Sequence, residues 1–202
     1  IWPEIPAHIR KEEGLPMALP DRSEAMLLLR EHTENENLVK HMLAVEACLR
    51  SHARRCEEPE NLWGITGLLH DFDYEKHPTP EEHPMFGVRI LEERGYPDEM
   101  IHAIKAHATY LGVARDSLLD KSLFAVDELT GFIVAVTLMR PSGMLTDLKV
   151  SSVRKKMKQR SFARNVSRED IQTGADELGM SLEEHISFVI DAMKGISEDL
   201  GL

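Results

Sequence analysis

The chain holds 202 residues, 42% of them apolar, which is long enough for a self-sufficient core and too apolar for wholesale disorder. Its 24 Lys and Arg against 35 Asp and Glu leave a net charge of −11. That balance argues against sequence-independent binding of nucleic acid or anionic lipid over most of the surface. Two cysteines, Cys48 and Cys56, are too few for a disulfide scaffold. No apolar run reaches the ~18 residues that cross a bilayer, and the first residues lack a signal-peptide layout, so a cytoplasmic protein without membrane contact is expected.

Residues 1–22 hold Pro3, Pro6, Pro16 and Pro20 and read as an extended arm. A first helix is predicted over residues 23–32. A second starts near Asn37 as its N-cap and lines up Leu38, Met42, Val45 and Leu49 on one face. Pro59 suits the first turn of a third, which turns Leu62, Ile65, Leu68 and Leu69 inward. Residues 70–84 are too rich in proline and charge for a continuous helix. Pro84 opens the next helix, with Gly95 as its stop, and Pro97 opens another. A long helix follows over residues 118–139, ended by Pro141. The last two start at Ser167-Arg-Glu-Asp170 and Ser181-Leu-Glu-Glu184, both capping-box sequences. With no alternating strand pattern, no glycine-rich phosphate loop and no repeat, an all-α bundle of about eight to ten helices is expected. Residues 23–145 would carry the site and 146–202 would pack on the same domain.

The chemistry lies in polar groups on faces that should be dry. His41 shares a helix face with Leu38, Val45 and Cys48, and Asp127 lies between Leu123, Thr130 and Val134. His107 stands over Ala103 and Ile104, and His83 precedes Phe86, Gly87 and Ile90. His70 and Asp71 close the apolar run LWGITGLL, where helix gives way to loop. A buried carboxylate without a partner costs several kcal/mol, so it must be paired, protonated or bound to a metal. Each residue alone reads as an ordinary core or capping residue. Together, four imidazoles and two carboxylates make a shell for one or two transition-metal ions. His77 is a rival to His83, but it sits in a loop as His77-Pro78 without an apolar face.

This ordered set resembles the HD-domain superfamily of metal-dependent phosphohydrolases. GLLHDFDYEKH looks like the signature turn, HPMFGVRIL like the H-x-x-x-G segment, and AVDELTGFI like the helix carrying the last Asp. The likeness covers roughly residues 37–141, and the tail looks like that of a small bacterial subgroup. It implies an HD-domain helical bundle, with His41, His70, Asp71 and Asp127 around a first metal. His83 and His107 would hold a second, with Asp71 bridging. It departs from the family pattern at Phe72-Asp73-Tyr74, where many signalling members have Ile-Gly-Lys, leaving Lys76 as the candidate to replace that lysine. Ala108 follows His107 where some relatives have a second His, which puts a trinuclear site in doubt. Asp73 is either a solvated loop acid or, more sharply, an orienting residue or catalytic proton acceptor beside Asp71.

Between Lys149 and Arg168 there are eight Lys or Arg and no acid, and from Glu169 to Leu202 nine acids and one Lys. Either this basic stretch answers the acidic C-terminal helices, or Arg154, Lys155 and Lys158 reach the site mouth and hold substrate phosphates. With Phe162 as its one aromatic, the stretch does not support a nucleic-acid stacking surface. The expected activity is hydrolysis of a small phosphate ester or anhydride, a nucleotide by preference, by metal-activated water. Four imidazoles favour Fe, Mn, Co or Ni over Mg as the divalent cofactor. The alternatives are an HD-type mixed-valence di-iron oxygenase and a non-catalytic metal-containing binding module. A phosphorylated small molecule is the expected partner, and homo-oligomerisation is left open.

Overall fold

Side-chain oxygens and prolines mark where each helix begins. In the computed structural model, which describes residues 21–202, Asp21 accepts from Glu24 N to open α1 (Arg22–His32). The remainder of the arm expected over residues 1–22 lies outside the described residues. α2 (Glu36–Cys56) is capped by Asn35, not Asn37, because the Asn35 side chain is the one that accepts, from Asn37 N at 2.9 Å. Prolines that need no N–H donor precede α3 (Glu60–Leu69), α4 (Met85–Glu93) and α5 (Asp98–His107). α6 (Leu118–Leu138) starts with a reciprocal box between Ser117 and Asp120.

The basic stretch supplies the short α7 (Val150–Met157). α8 (Arg168–Glu177), α9 (Leu182–Lys194) and the single-turn α10 (Ser197–Leu200) complete the chain. Ser181 and Glu184 close the full capping box, while Ser167 accepts from Asp170 N and the Asp170 side chain turns to a cleft instead. The described residues form ten α-helices and no strand, which is the all-α architecture expected. None of these helices is long and apolar enough to cross a membrane.

Two long helices organise the packing. α2 lies against α3, α6 and α9, and α6 lies against α5 and α8 as well. The α2–α3 approach is close because Gly67 has no side chain: a Cβ there would stand 2.9 Å from the Glu46 backbone nitrogen. The buried Glu46 carboxylate is answered by Arg22 from α1 at 2.7 Å and by Arg50, one turn along α2, at 2.9 Å. A carboxylate this buried would be strongly destabilising without those partners. The consequence for function is positional. α2 brings His41, the end of α3 brings His70 and Asp71, the end of α5 brings His107, and α6 brings Asp127 to a common side of the bundle.

The C-terminal helices seal the opposite part of α2 with a pair of buried histidines. His52 on α2 packs its ring 4.1 Å from that of Phe188, and His185 Nε2 donates to Ala125 O at 2.8 Å. Burial, followed by the neighbouring His185 and Arg55, pushes His52 down to about 3. The unfolded chain therefore takes up a proton near pH 6.5 that the folded chain refuses, so stability falls as pH drops between those two values. Chemical denaturation between pH 7.5 and pH 4.5 should show His52→Leu losing less stability on acidification than the parent. The slopes should differ by up to about 1.4 kcal/mol per pH unit. Parallel profiles would contradict a neutral, buried His52.

Candidate metal centre

Four imidazoles reach one region from four elements, and each arrives with its outer nitrogen already engaged. His70 follows the last residue of α3 and His107 ends α5, where helix carbonyls lack an intrahelical partner. Each ring uses that surplus: Nδ1 bonds the carbonyl three residues back, Gly67 O at 2.8 Å and Ile104 O at 2.6 Å. A carbonyl can only accept, so both Nδ1 atoms carry a proton and both Nε2 atoms present a lone pair inward. His83 is fixed in the same sense, its Nδ1 donating to Asp73 Oδ1 at 2.8 Å. For His41 the anchor is weaker. Its Nδ1 lies 3.4 Å from Thr130 Oγ1, whose own hydrogen goes to Asp127 O.

The inward nitrogens converge on two carboxylates. Nε2 of His83 and of His107 each stand 3.2 Å from Asp71 Oδ1. His70 Nε2 lies 3.5 Å from Asp71 Oδ1 and 3.4 Å from Asp127 Oδ1, and His41 Nε2 lies 3.0 Å from Asp127 Oδ1. A lone pair facing a carboxylate is repulsive unless a proton or a cation stands between them. His70 Nε2 and Asp71 Oδ1 are buried without a hydrogen-bond partner. Both facts fit a cation. Two groups have donor atoms within 4.8 Å of one another and could hold a metal ion: His41, His70, Asp71 and Asp127, and Asp71, His83 and His107. Asp71 belongs to both. The nitrogen-rich donor set is of the kind transition metals take.

The titration behaviour carries the same information. Burial works against a charged His83, but the Asp71 and Asp73 carboxylates outweigh it and raise the ring to about 9. His70 and His107 are likewise raised, against burial, by Asp71 and Asp127. Burial would push Asp71 and Asp127 up, yet the surrounding imidazoles hold both below the usual carboxylate range. Positive charge placed between the rings and the acids, from protons or from a divalent cation, would neutralise the same carboxylates.

Asp73 is buried, with 1% of its surface exposed, and spends both oxygens on positioning. Oδ1 accepts from His83, and Oδ2 accepts from Gly87 N at 2.7 Å. Gly87 permits the approach, since a Cβ there would sit 3.1 Å from Asp73 Cγ. This departs from the reading of Asp73 as a catalytic proton acceptor or solvated acid: it holds the His83 ring and does not line the cleft. Lys76 also needs correction. Its Nζ donates to Glu31 O at 3.0 Å, in the last turn of α1, because the turn after Asp71 swings it to that helix end. Arg154, Lys155 and Lys158 line a separate recess with Val150 and Ser151, and Arg154 pairs with Glu183 at 2.8 Å. The basic helix therefore answers α9 and does not reach the site mouth. His77 stacks on Phe86 at 3.7 Å and faces Glu82.

The cluster opens into a cleft of about 410 Å³ whose walls include Tyr74, Tyr110, Phe124, Glu128 and Asp170. Sequence reasoning missed all five. The one available signal was Glu128, a second acid beside Asp127 in the otherwise apolar run AVDELTGFIV. Burial and the adjacent Asp127 raise Glu128 to about 7, opposed by the Ser167 N–H it accepts at 3.2 Å. Tyr110 donates its hydroxyl to His83 O at 2.7 Å, and Tyr74 sets its ring edge-on to that of His83. No Lys or Arg lines this cleft among the described residues.

The family model for the HD domain matches residues 38–131, a span that includes all six converging residues. No solved structure matches the chain significantly. Replacing Asp73 by Asn keeps its shape but turns one accepting oxygen into an NH2 group. Metal titration of Asp73→Asn should show affinity at the His83–His107 group falling roughly 10–100-fold, as for other residues that orient a ligand. Unchanged affinity would refute the positioning role.

Proposed function

We propose, from the match of residues 38–131 to the HD-domain family model, that the chain is a divalent-metal-dependent phosphohydrolase acting on a small phosphate ester or anhydride, with nucleotides as the preferred class. The observation that supports this most is the convergence of four imidazole lone pairs on Asp71 and Asp127 at the floor of an open cleft. His41, His70, Asp71 and Asp127 would hold one cation, His83 and His107 a second, with Asp71 shared. Fe, Mn, Co and Ni suit these donors better than Mg, which prefers oxygen and retains its waters. Divalent cations bound there supply Lewis acidity, neutralising phosphoryl charge and making water acidic enough to deliver hydroxide near neutral pH.

The protein's own residues set the conditions for that chemistry. Asp73, Gly67 O and Ile104 O hold three rings in the tautomer that leaves Nε2 free. In the hydrolysis a new P–O bond forms to water, the P–O bond to the leaving group breaks, and the leaving oxygen gains a proton. With no Lys or Arg on the described cleft walls, balance of the substrate's phosphoryl charge would fall to the cations that His41, His70, Asp71, His83, His107 and Asp127 would hold. Tyr74, Tyr110 and Phe124 offer apolar wall surface to the rest of the substrate.

Metal-stripped protein reloaded separately with Mn, Co, Ni, Fe or Mg should release phosphate from one or more nucleoside mono-, di- or triphosphates, with Mg among the weakest. Asp71→Asn should lower the rate by more than about a hundredfold while helix content by circular dichroism stays unchanged. Phosphate release without metal, or by Asp71→Asn at the parental rate, contradicts the proposal. So does iron-dependent oxygen consumption without phosphate release.

A further inference from the structure

Gly131 lies in the middle of α6, one turn beyond Asp127 and on the same side of the helix. Glycine is a poor choice there. It weakens a helix interior relative to alanine, and its residue is absent from the positive-φ positions that demand glycine. Nor does packing require it. A Cβ on Gly67 or Gly87 would collide with neighbours, whereas a Cβ on Gly131 meets no atom within 4 Å. The fold itself thus gives no reason for the missing side chain.

The space around Gly131 gives one. Gly131 and His41 are walls of the metal-facing cleft and, at the same time, of a second cavity of about 340 Å³. That second cavity is lined by Ala44, Val134, Leu138 and Leu200, together with Lys40. We propose that Gly131 is a specificity-determining residue: its bare backbone joins the two cavities, so that the organic part of a phosphomonoester crosses it and rests against Ala44, Val134 and Leu138. The inference rests on the phosphohydrolase reading for the phosphoryl end, and adds that the leaving group is apolar on the face it sets against this second cavity. A side chain larger than alanine at 131 would project into the passage.

The test uses the Mn-loaded full chain and two non-hydrolysable probes, methylphosphonate and 1-naphthylphosphonate, with affinities measured by calorimetry. The parent should bind the naphthyl probe at least about tenfold more tightly, from apolar area removed from water. Gly131→Leu should reduce that preference below about twofold while leaving methylphosphonate affinity within about twofold of the parent. Gly131→Ala should raise the melting temperature, as expected where alanine fits. A preference that survives in Gly131→Leu overturns the inference, as does binding of neither probe. A lowered melting temperature in Gly131→Ala also overturns it, since the glycine would then be structural. Phosphate release is scored separately. A naphthyl preference lost in Gly131→Leu without turnover of any ester would remove the hydrolase reading and leave the assignment of Gly131 standing.

Discussion

Two carboxylates and four imidazoles occupy one partly buried corner of this bundle, and their arrangement is unstable without positive charge among them. Each ring has its outer nitrogen spoken for, by Gly67 O, Ile104 O, Asp73 or Thr130, so the inner nitrogens face Asp71 and Asp127 as bare lone pairs. Protons can supply the missing charge, which is why His83 is raised to about 9 and the two acids are held low. Metal ions supply it with more charge per site and with directional bonds to the same atoms. Much of the surrounding structure serves to keep those nitrogens pointed inward.

The devices are local and inexpensive. A histidine at a helix C-terminus finds an unpaired carbonyl three residues back, and that single bond chooses its tautomer. α3 and α5 use it independently. The third ring comes from a turn segment with no such carbonyl, and there a buried carboxylate, braced by the Gly87 amide, does the same job. α6 contributes Asp127 to the cluster, Glu128 to the cleft wall and Gly131 to the passage beyond, within little more than one helical turn. α8 brings Asp170 to the same cleft and its preceding Ser167 amide to Glu128.

The helical fold was legible because apolar spacing, capping residues and prolines all agreed. The six converging residues were legible for a related reason: polar groups on apolar stripes stand out against a 3.6-residue period. That reasoning fails in turns, where no period says which way a side chain faces. Asp73 and Lys76 lie in such a turn, and the structure turns the first inward onto His83 and the second outward onto α1. Arg154, Lys155 and Lys158 show the second limit. Their sign suits phosphate, but the partner they meet depends on how α7 packs, and it packs against α9 with Glu183. Tyr74 and Tyr110 carry no sequence signal at all, because ordinary aromatic residues become cleft walls only through tertiary placement.

The most direct measurement of the central claim is the number of metal ions that metal-stripped protein takes up. Equilibrium dialysis against Mn or Co, with elemental quantitation, should give two tightly bound ions per chain, and anomalous scattering should place both among His41, His70, Asp71, His83, His107 and Asp127. Uptake of no ion, or of ions bound elsewhere on the surface, would contradict the account.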